Sequence, residues 1–135
     1  MKIVMLCCDE MFGELAHEVL AHHELDIITD YALIKTTPDM YAVFQHDSYD
    51  LLILTNMGIP SALAMRHVTM LPEVRTYRTI LVSGHLTDAM KYKCKERGVA
   101  TLNVPVKPQE LRDAIDAPPT PALRARKSTT SPKAL

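Results

Sequence analysis

Apolar residues fall along this chain in two alternating patterns. Continuous runs such as Ile3-Val4-Met5-Leu6, Leu51-Leu52-Ile53-Leu54 and Ile80-Leu81-Val82 show no polar alternation. That is the pattern of a strand buried on both faces. Between the runs, apolar residues recur at helical spacing. Phe12, Leu15, Ala16, Val19 and Leu20 stand at i, i+3, i+4, i+7 and i+8, a single amphipathic stripe.

Read in order, the pattern predicts a first strand over 2–8 and a first helix over 11–22. Asp9 and Glu10 lie between them, where acids suit the positive end of a helix dipole. A second strand is predicted over 24–29, with Leu25, Ile27 and Ile28. Thr37-Pro38-Asp39 is a helix-start signal: a cap, a Pro at the first helical position and an acid in the first turn. The second helix is predicted to run to about residue 46, with Met40, Val43 and Phe44 inward. The third strand starts from Tyr49-Asp50, runs into Thr55-Asn56, and meets Gly58 and Pro60.

Pro60-Ser61 starts a third helix with Leu63, Ala64 and Val68 apolar, ended by Leu71-Pro72. Thr79 to Ser83 reads as the fourth strand. Thr87-Asp88 caps a fourth helix and Gly98 closes it. Val99 to Val104 is the fifth strand, and Pro105 fits only an edge strand or its end. Lys107-Pro108 leads into a fifth helix with Leu111 and Ile115 inward. Strand and helix thus alternate five times, which predicts an α/β, doubly wound, five-stranded parallel sheet with right-handed crossovers.

The 135 residues fit one domain, and 47% apolar content suits a globular core. No run reaches the roughly 20 apolar residues of a membrane span. The N-terminal run lacks the cleavage site of a signal peptide. Three cysteines, two of them adjacent, make a poor disulfide framework, so the expected compartment is the cytoplasm. Charge is uneven. Residues 1–116 hold eleven basic against sixteen acidic residues, a net of −5, while 117–135 carry Arg124, Arg126, Lys127 and Lys133 and no acid. The prolines, serines and threonines of 117–135 predict a disordered basic tail after a domain over 1–116.

Four local patterns resemble the receiver domain of two-component response regulators, CheY-like, over residues 2–116. They are Lys2-Ile3-Val4-Met5-Leu6-Cys7-Cys8-Asp9-Glu10, Tyr49-Asp50-Leu51-Leu52-Ile53-Leu54 followed by Pro60, Ile80-Leu81-Val82-Ser83-Gly84, and Val106-Lys107-Pro108 followed by Glu110-Leu111. The resemblance implies a (βα)5 flavodoxin-like fold with strand order 2-1-3-4-5. It also implies a site at the strand ends. There an acidic pair and an aspartate hold Mg²⁺, the aspartate accepts a phosphoryl group, and a lysine and a hydroxyl residue contact it.

The chain departs from that pattern where the chemistry lies. Cys7 and Cys8 align with the acidic pair, followed by Asp9. Counting from Asp50 puts Thr55 at the phosphoacceptor position, and counting back from Pro60 puts Asn56 there. Neither is a carboxylate. A one-residue slip would use Asp9 and Glu10 as the acidic pair, but it stretches the strand and spoils the helix-one register. Val104 stands where a mobile aromatic belongs. Ser83 and Lys107 match the switch hydroxyl and the lysine, and the resemblance implies a cis peptide before Pro108. With the acceptor gone, Lys107 is expected to bond Asn56 or Asp9.

The expected function is therefore that of a stand-alone degenerate receiver (a pseudo-receiver). It is not an enzyme, holds no cofactor or metal, and acts through protein–protein contact independently of aspartyl phosphorylation. The resemblance places the contact on the helix 4–strand 5–helix 5 face, which is also available as a homodimer surface. Lys91, Lys93, Lys95 and Arg97 crowd that fourth helix. Two alternatives stand beside this. One is a thiol-based redox or soft-metal sensor at Cys7 and Cys8, although adjacent strand residues point to opposite faces. The other is phosphorylation at Thr55. Acidity and the lack of a binding motif disfavour nucleic acid, and no membrane partner is expected. Of the six histidines, only His85 falls near the strand ends.

Overall fold

The computed structural model describes residues 1–36 and 49–117. Five strands form one parallel sheet in the order β2-β1-β3-β4-β5. They are β1 (Lys2–Leu6), β2 (Glu24–Ile28), β3 (Leu51–Thr55), β4 (Arg78–Ser83) and β5 (Val99–Asn103). The helices are α1 (Glu10–Val19), α2 (Tyr31–Thr36), α3 (Ser61–Met70), α4 (Asp88–Glu96) and α5 (Pro108–Asp116). This is the doubly wound fold that the sequence pattern predicts, with the strand order that the resemblance implies.

The three central strands are buried almost throughout, and β3 is buried at every position. Their unbroken apolar runs follow from having helices on both faces. β2 and β5 are edges, and exposed or half-buried positions dominate both. On one face, Ile3, Met5, Leu51, Ile53, Ile80 and Val82 pack against Phe12, Ala16 and Leu20 of the α1 segment and against Leu111 and Ile115 of α5. On the other, Val4, Leu6, Leu52, Leu54 and Leu81 pack against Ile34, Ala64, Val68, Met90 and Cys94 of α2, α3 and α4. The side-chain period of two along each strand assigns alternate residues to the two cores.

Local signals set the ends of the elements. Asp50 Oδ2 accepts the Lys2 backbone N–H at 2.8 Å where β1 and β3 begin. Thr87 Oγ1 accepts the Met90 N–H at 3.1 Å as the α4 N-cap. Gly98 takes φ +71°, the left-handed geometry of a helix stop. At the base of the sheet, Arg78 donates to the carbonyls of Ala114 and Ile115, satisfying the free end of α5.

Two expectations need correction. The sequence pattern marks no element over 31–36, but α2 lies there. Its signal was Asp30, whose Oδ1 accepts the Leu33 N–H at 3.2 Å, a side-chain cap before a short Ala-Leu-Ile run. The predicted helix start at Thr37-Pro38-Asp39 and the inward Met40, Val43 and Phe44 lie outside the described residues, as does all but the first residue of the basic tail. Second, the cis peptide is Val104–Pro105, not the bond before Pro108. Pro108 opens α5 at a helical position where its fixed φ is already suitable, and Lys107 before it is extended at φ −75°, ψ 146°.

Candidate functional site

In an open parallel sheet the carboxyl ends of the strands form the crevice where ligands bind. Register brings the singled-out residues to that edge. Leu6 pairs with Leu54, Thr55 with Val82, and Ser83 with Asn103. The ladder extends one residue further, because Asn56 N–H donates to Val82 O at 3.1 Å and Val104 N–H to Ser83 O at 3.0 Å. Cys7, Cys8, Thr55, Asn56, Ser83 and Val104 therefore share one edge. Asp9 lies just beyond it, as the residue before α1.

Thr55 is 1% exposed. Its hydroxyl donates to the Leu6 carbonyl at 2.9 Å and accepts the Met57 N–H at 3.2 Å. It stitches β3 to β1 and is committed on both sides. A buried hydroxyl already donating to a backbone carbonyl, with no base beside it, makes a poor nucleophile.

Asn56 sits at the mouth, half-buried. Its Oδ1 accepts the Gly84 N–H at 3.0 Å and its Nδ2 donates to Ser61 Oγ at 3.1 Å. One amide thus ties the loop after β4 to the start of α3. An amide has both a donor and an acceptor end, so it can make both bonds at once. Ser83 Oγ is fully buried and accepts the His85 N–H at 3.1 Å, closing its own turn.

The loop after β3 also closes over the end of β1. Cys8 N–H donates to Met57 O at 3.0 Å. Gly58 lies so close that a Cβ there would stand 2.8 Å from the carbonyl carbon and oxygen of Cys8. Its φ of +74° also favours glycine.

The thiols are placed on opposite faces. Cys7 belongs to the core facing α1 and α5, Cys8 to the other core. Cys7 Sγ donates to Asp9 O and Cys8 Sγ to Thr29 O, both at 3.4 Å. Burial pushes both thiols above their ordinary pKa, and for Cys8 the neighbouring Cys7 and Asp30 add to the rise. That is the reverse of what a reactive thiolate needs. Cys94, buried under α4, is pushed up to about 11 by burial alone.

The Mg²⁺ that the resemblance implies needs several hard oxygen ligands. The crevice offers two thiols turned apart, an amide and two hydroxyls already engaged, with Gly58 packed on Cys8 and Asp9 as the single carboxylate just beyond the edge. These residues do not fit that ion. Among the described residues, no group of three or more His, Cys, Asp or Glu is placed to hold a metal ion.

Lys107 was expected to bond Asn56 or Asp9, and it does neither. It is exposed before α5, where its backbone N–H donates to Glu110 Oε1 at 3.1 Å. Asn56 bonds Ser61 through Nδ2 and Gly84 through Oδ1 instead. His85 is exposed beside this edge. Sequence reasoning used Ser61 and Gly58 only as turn and helix-start signals. A Gly in the loop two residues beyond a strand-end Asn was the available sign of a close backbone approach.

No family model matches this chain and no curated protein matches it. Solved structures do. Chemotaxis protein CheY4 of Vibrio cholerae is 16% identical, with 84% of this chain and 94% of that chain covered and a TM-score of 0.65. A CheY-like response regulator receiver domain protein of Methanospirillum hungatei is 16% identical over 95% of this chain and 97% of that one, at 0.59. The signal receiver domain of an HD domain-containing protein of Pseudomonas fluorescens is 20% identical over 94% and 97%, at 0.59. The chain has the receiver fold. Among the described residues, no helix is long and apolar enough to cross a membrane.

Proposed function

We propose that this chain is a signalling module of the receiver type whose binding surface is set by internal packing and by its partner, not by aspartyl phosphorylation. The observation that carries this reading is Asn56. At the end of the central strand, where a receiver presents a carboxylate, this chain has an amide with both polar ends bound to its own loops. An amide forms no acyl phosphate. The residue beside it, Thr55, has its hydroxyl buried and donated to Leu6.

A receiver responds by moving the loop after β4 towards its phosphoryl group. Here Gly84, in that loop, is already held by Asn56. The loop leads directly into α4, so the position of the α4–β5–α5 surface is tied to β3 without any covalent group. A partner then shifts the module only as far as it binds two arrangements with different affinity. The output is protein–protein contact, and the module is a binding rather than a catalytic one. Neither competing reading is favoured: Cys7 is buried and Cys8 half-buried, desolvation raises the pKa of both thiols, and no base stands beside Thr55 among the described residues.

Intact-mass measurement after incubation with acetyl phosphate and Mg²⁺ tests the proposal. No added phosphoryl mass is expected, before or after hydroxylamine treatment. A phosphorylated species that hydroxylamine removes would overturn it.

A further inference from the structure

Two helix faces of opposite charge point away from each other. α1 exposes Glu10, Glu14 and Glu18, together with His17, and contains no Lys or Arg. Glutamates four apart form one ladder with a rise of about 6 Å per rung. Beside it stands Met11, 80% exposed. α4 exposes Lys91 and Lys95, also four apart, beside Tyr92, 68% exposed. Lys93 is occupied by Glu96 at 3.1 Å, whereas no ion pair engages Lys91 or Lys95 among the described residues. Asp88 stands at the N-terminal end of the same helix. Met11 and Tyr92 are the two most exposed large apolar side chains among the described residues.

A cleft of about 310 Å³ opens between α1 and the edge strand β2. Its lining includes Asp9, Glu10 and Glu14, with Gly13 and Ile27 as apolar wall. That lining suits a lysine, which lays an apolar stem on a surface and holds its charge at the tip. α1 packs on one face of the sheet and α4 on the other. The two surfaces therefore cannot meet within one chain.

We propose that the chain self-associates head to tail, with the acidic α1 face of one copy docking on the Lys91–Tyr92–Lys95 face of α4 of the next. The charges are complementary, the rungs on both helices have the same spacing, and Met11 and Tyr92 supply a thioether and a ring. The contact joins two different patches, so it is heterologous and leaves a free patch at each end. It thus differs from a two-fold dimer through the α4–β5–α5 face. Exposed ion pairs are individually weak and are screened beyond about 8 Å at physiological ionic strength, so the association is weak and salt-sensitive.

Sedimentation velocity of the full chain tests this. At low salt the weight-average sedimentation coefficient is expected to rise with concentration, and added salt is expected to return it to the monomer value. E10K/E14K/E18K and K91E/K95E are each expected to stay monomeric at low salt, with unchanged circular dichroism. An equal mixture of the two variants is expected to associate, because each then carries the patch the other lacks. A third variant neutralises the basic residues beyond α5, Arg124, Arg126, Lys127 and Lys133, to serine, and is expected to associate as the parent does. A parent chain that stays monomeric at low salt, a mixture that stays monomeric, or association lost only in the third variant would each overturn the proposal. The last result would make the chain's own basic segment the occupant of the acidic face.

Discussion

The middles of β1, β3 and β4 and their carboxyl ends lie within a residue or two of each other, yet they answer to different constraints. In the middles, every side chain meets a helix on its own side of the sheet. Ile3, Leu52, Ile53, Leu54 and Ile80 are at most 1% exposed. There volume and shape decide, and any polar atom would need a partner. At the ends, Cys7, Cys8, Thr55, Asn56 and Ser83 are also largely enclosed, but hydrogen bonds to loops hold them. The difference shows that packing and site chemistry are set by different residues within one fold. Packing is shared over many residues, whereas phosphoryl chemistry needs particular oxygen atoms at particular positions.

Four substitutions or conditions probe the contrast, from the largest expected effect to the smallest. Leu54→Ala removes a buried side chain from the middle of β3 and is expected to lower unfolding free energy by about 2–5 kcal/mol in urea titrations. Gly58→Ala is expected to cost about 2 kcal/mol, since its Cβ meets the Cys8 backbone and its φ is positive. Thr55→Val keeps the shape but leaves Leu6 O and Met57 N–H without the hydroxyl, for about 1 kcal/mol. If Thr55→Val costs as much as Leu54→Ala, the ends are as tightly constrained as the middles and the contrast fails.

The smallest effect concerns pH. Burial holds His67 of α3 neutral, below its ordinary pKa of 6.5, beside the Ile34 carbonyl at 3.4 Å. As pH falls through that value, the unfolded chain takes up the proton first. The unfolded state then binds more protons, so stability falls with pH below about 6.5 and is level above it. Chemical unfolding of the parent and His67→Leu across that range measures this, and the variant is expected to show a flatter profile.

The scaffold was legible in the sequence because its signals are redundant. Four apolar residues in a row at 51–54, a stripe of five in α1, the Thr87 cap and the Gly98 stop each point to the same fold. α2 was missed because six residues carry too little periodicity, and Asp30 was its only marker. The site was legible in part. That no carboxylate stands at Thr55-Asn56 follows from residue identity alone. Where Asn56 sends its amide does not, since Gly84 lies 28 residues away across the sheet. Lys107-Pro108 opens the last helix as its sequence predicts, but the Lys107 side chain bonds neither Asn56 nor Asp9. The cis bond belongs to the preceding Pro105, where β5 leaves the sheet.

The central claim is that Asn56 holds the β4–α4 loop, so that the loop's position does not depend on a cation or a phosphoryl group. The most direct test is an amide NMR titration with Mg²⁺ and then beryllofluoride, a phosphoryl analogue. The Gly84 N–H and the Asn56 side-chain amide are expected to stay in place throughout, with Gly84 protected from hydrogen exchange. Saturable shifts at Gly84, Asp9 and Asn56 on adding the two together would contradict the account.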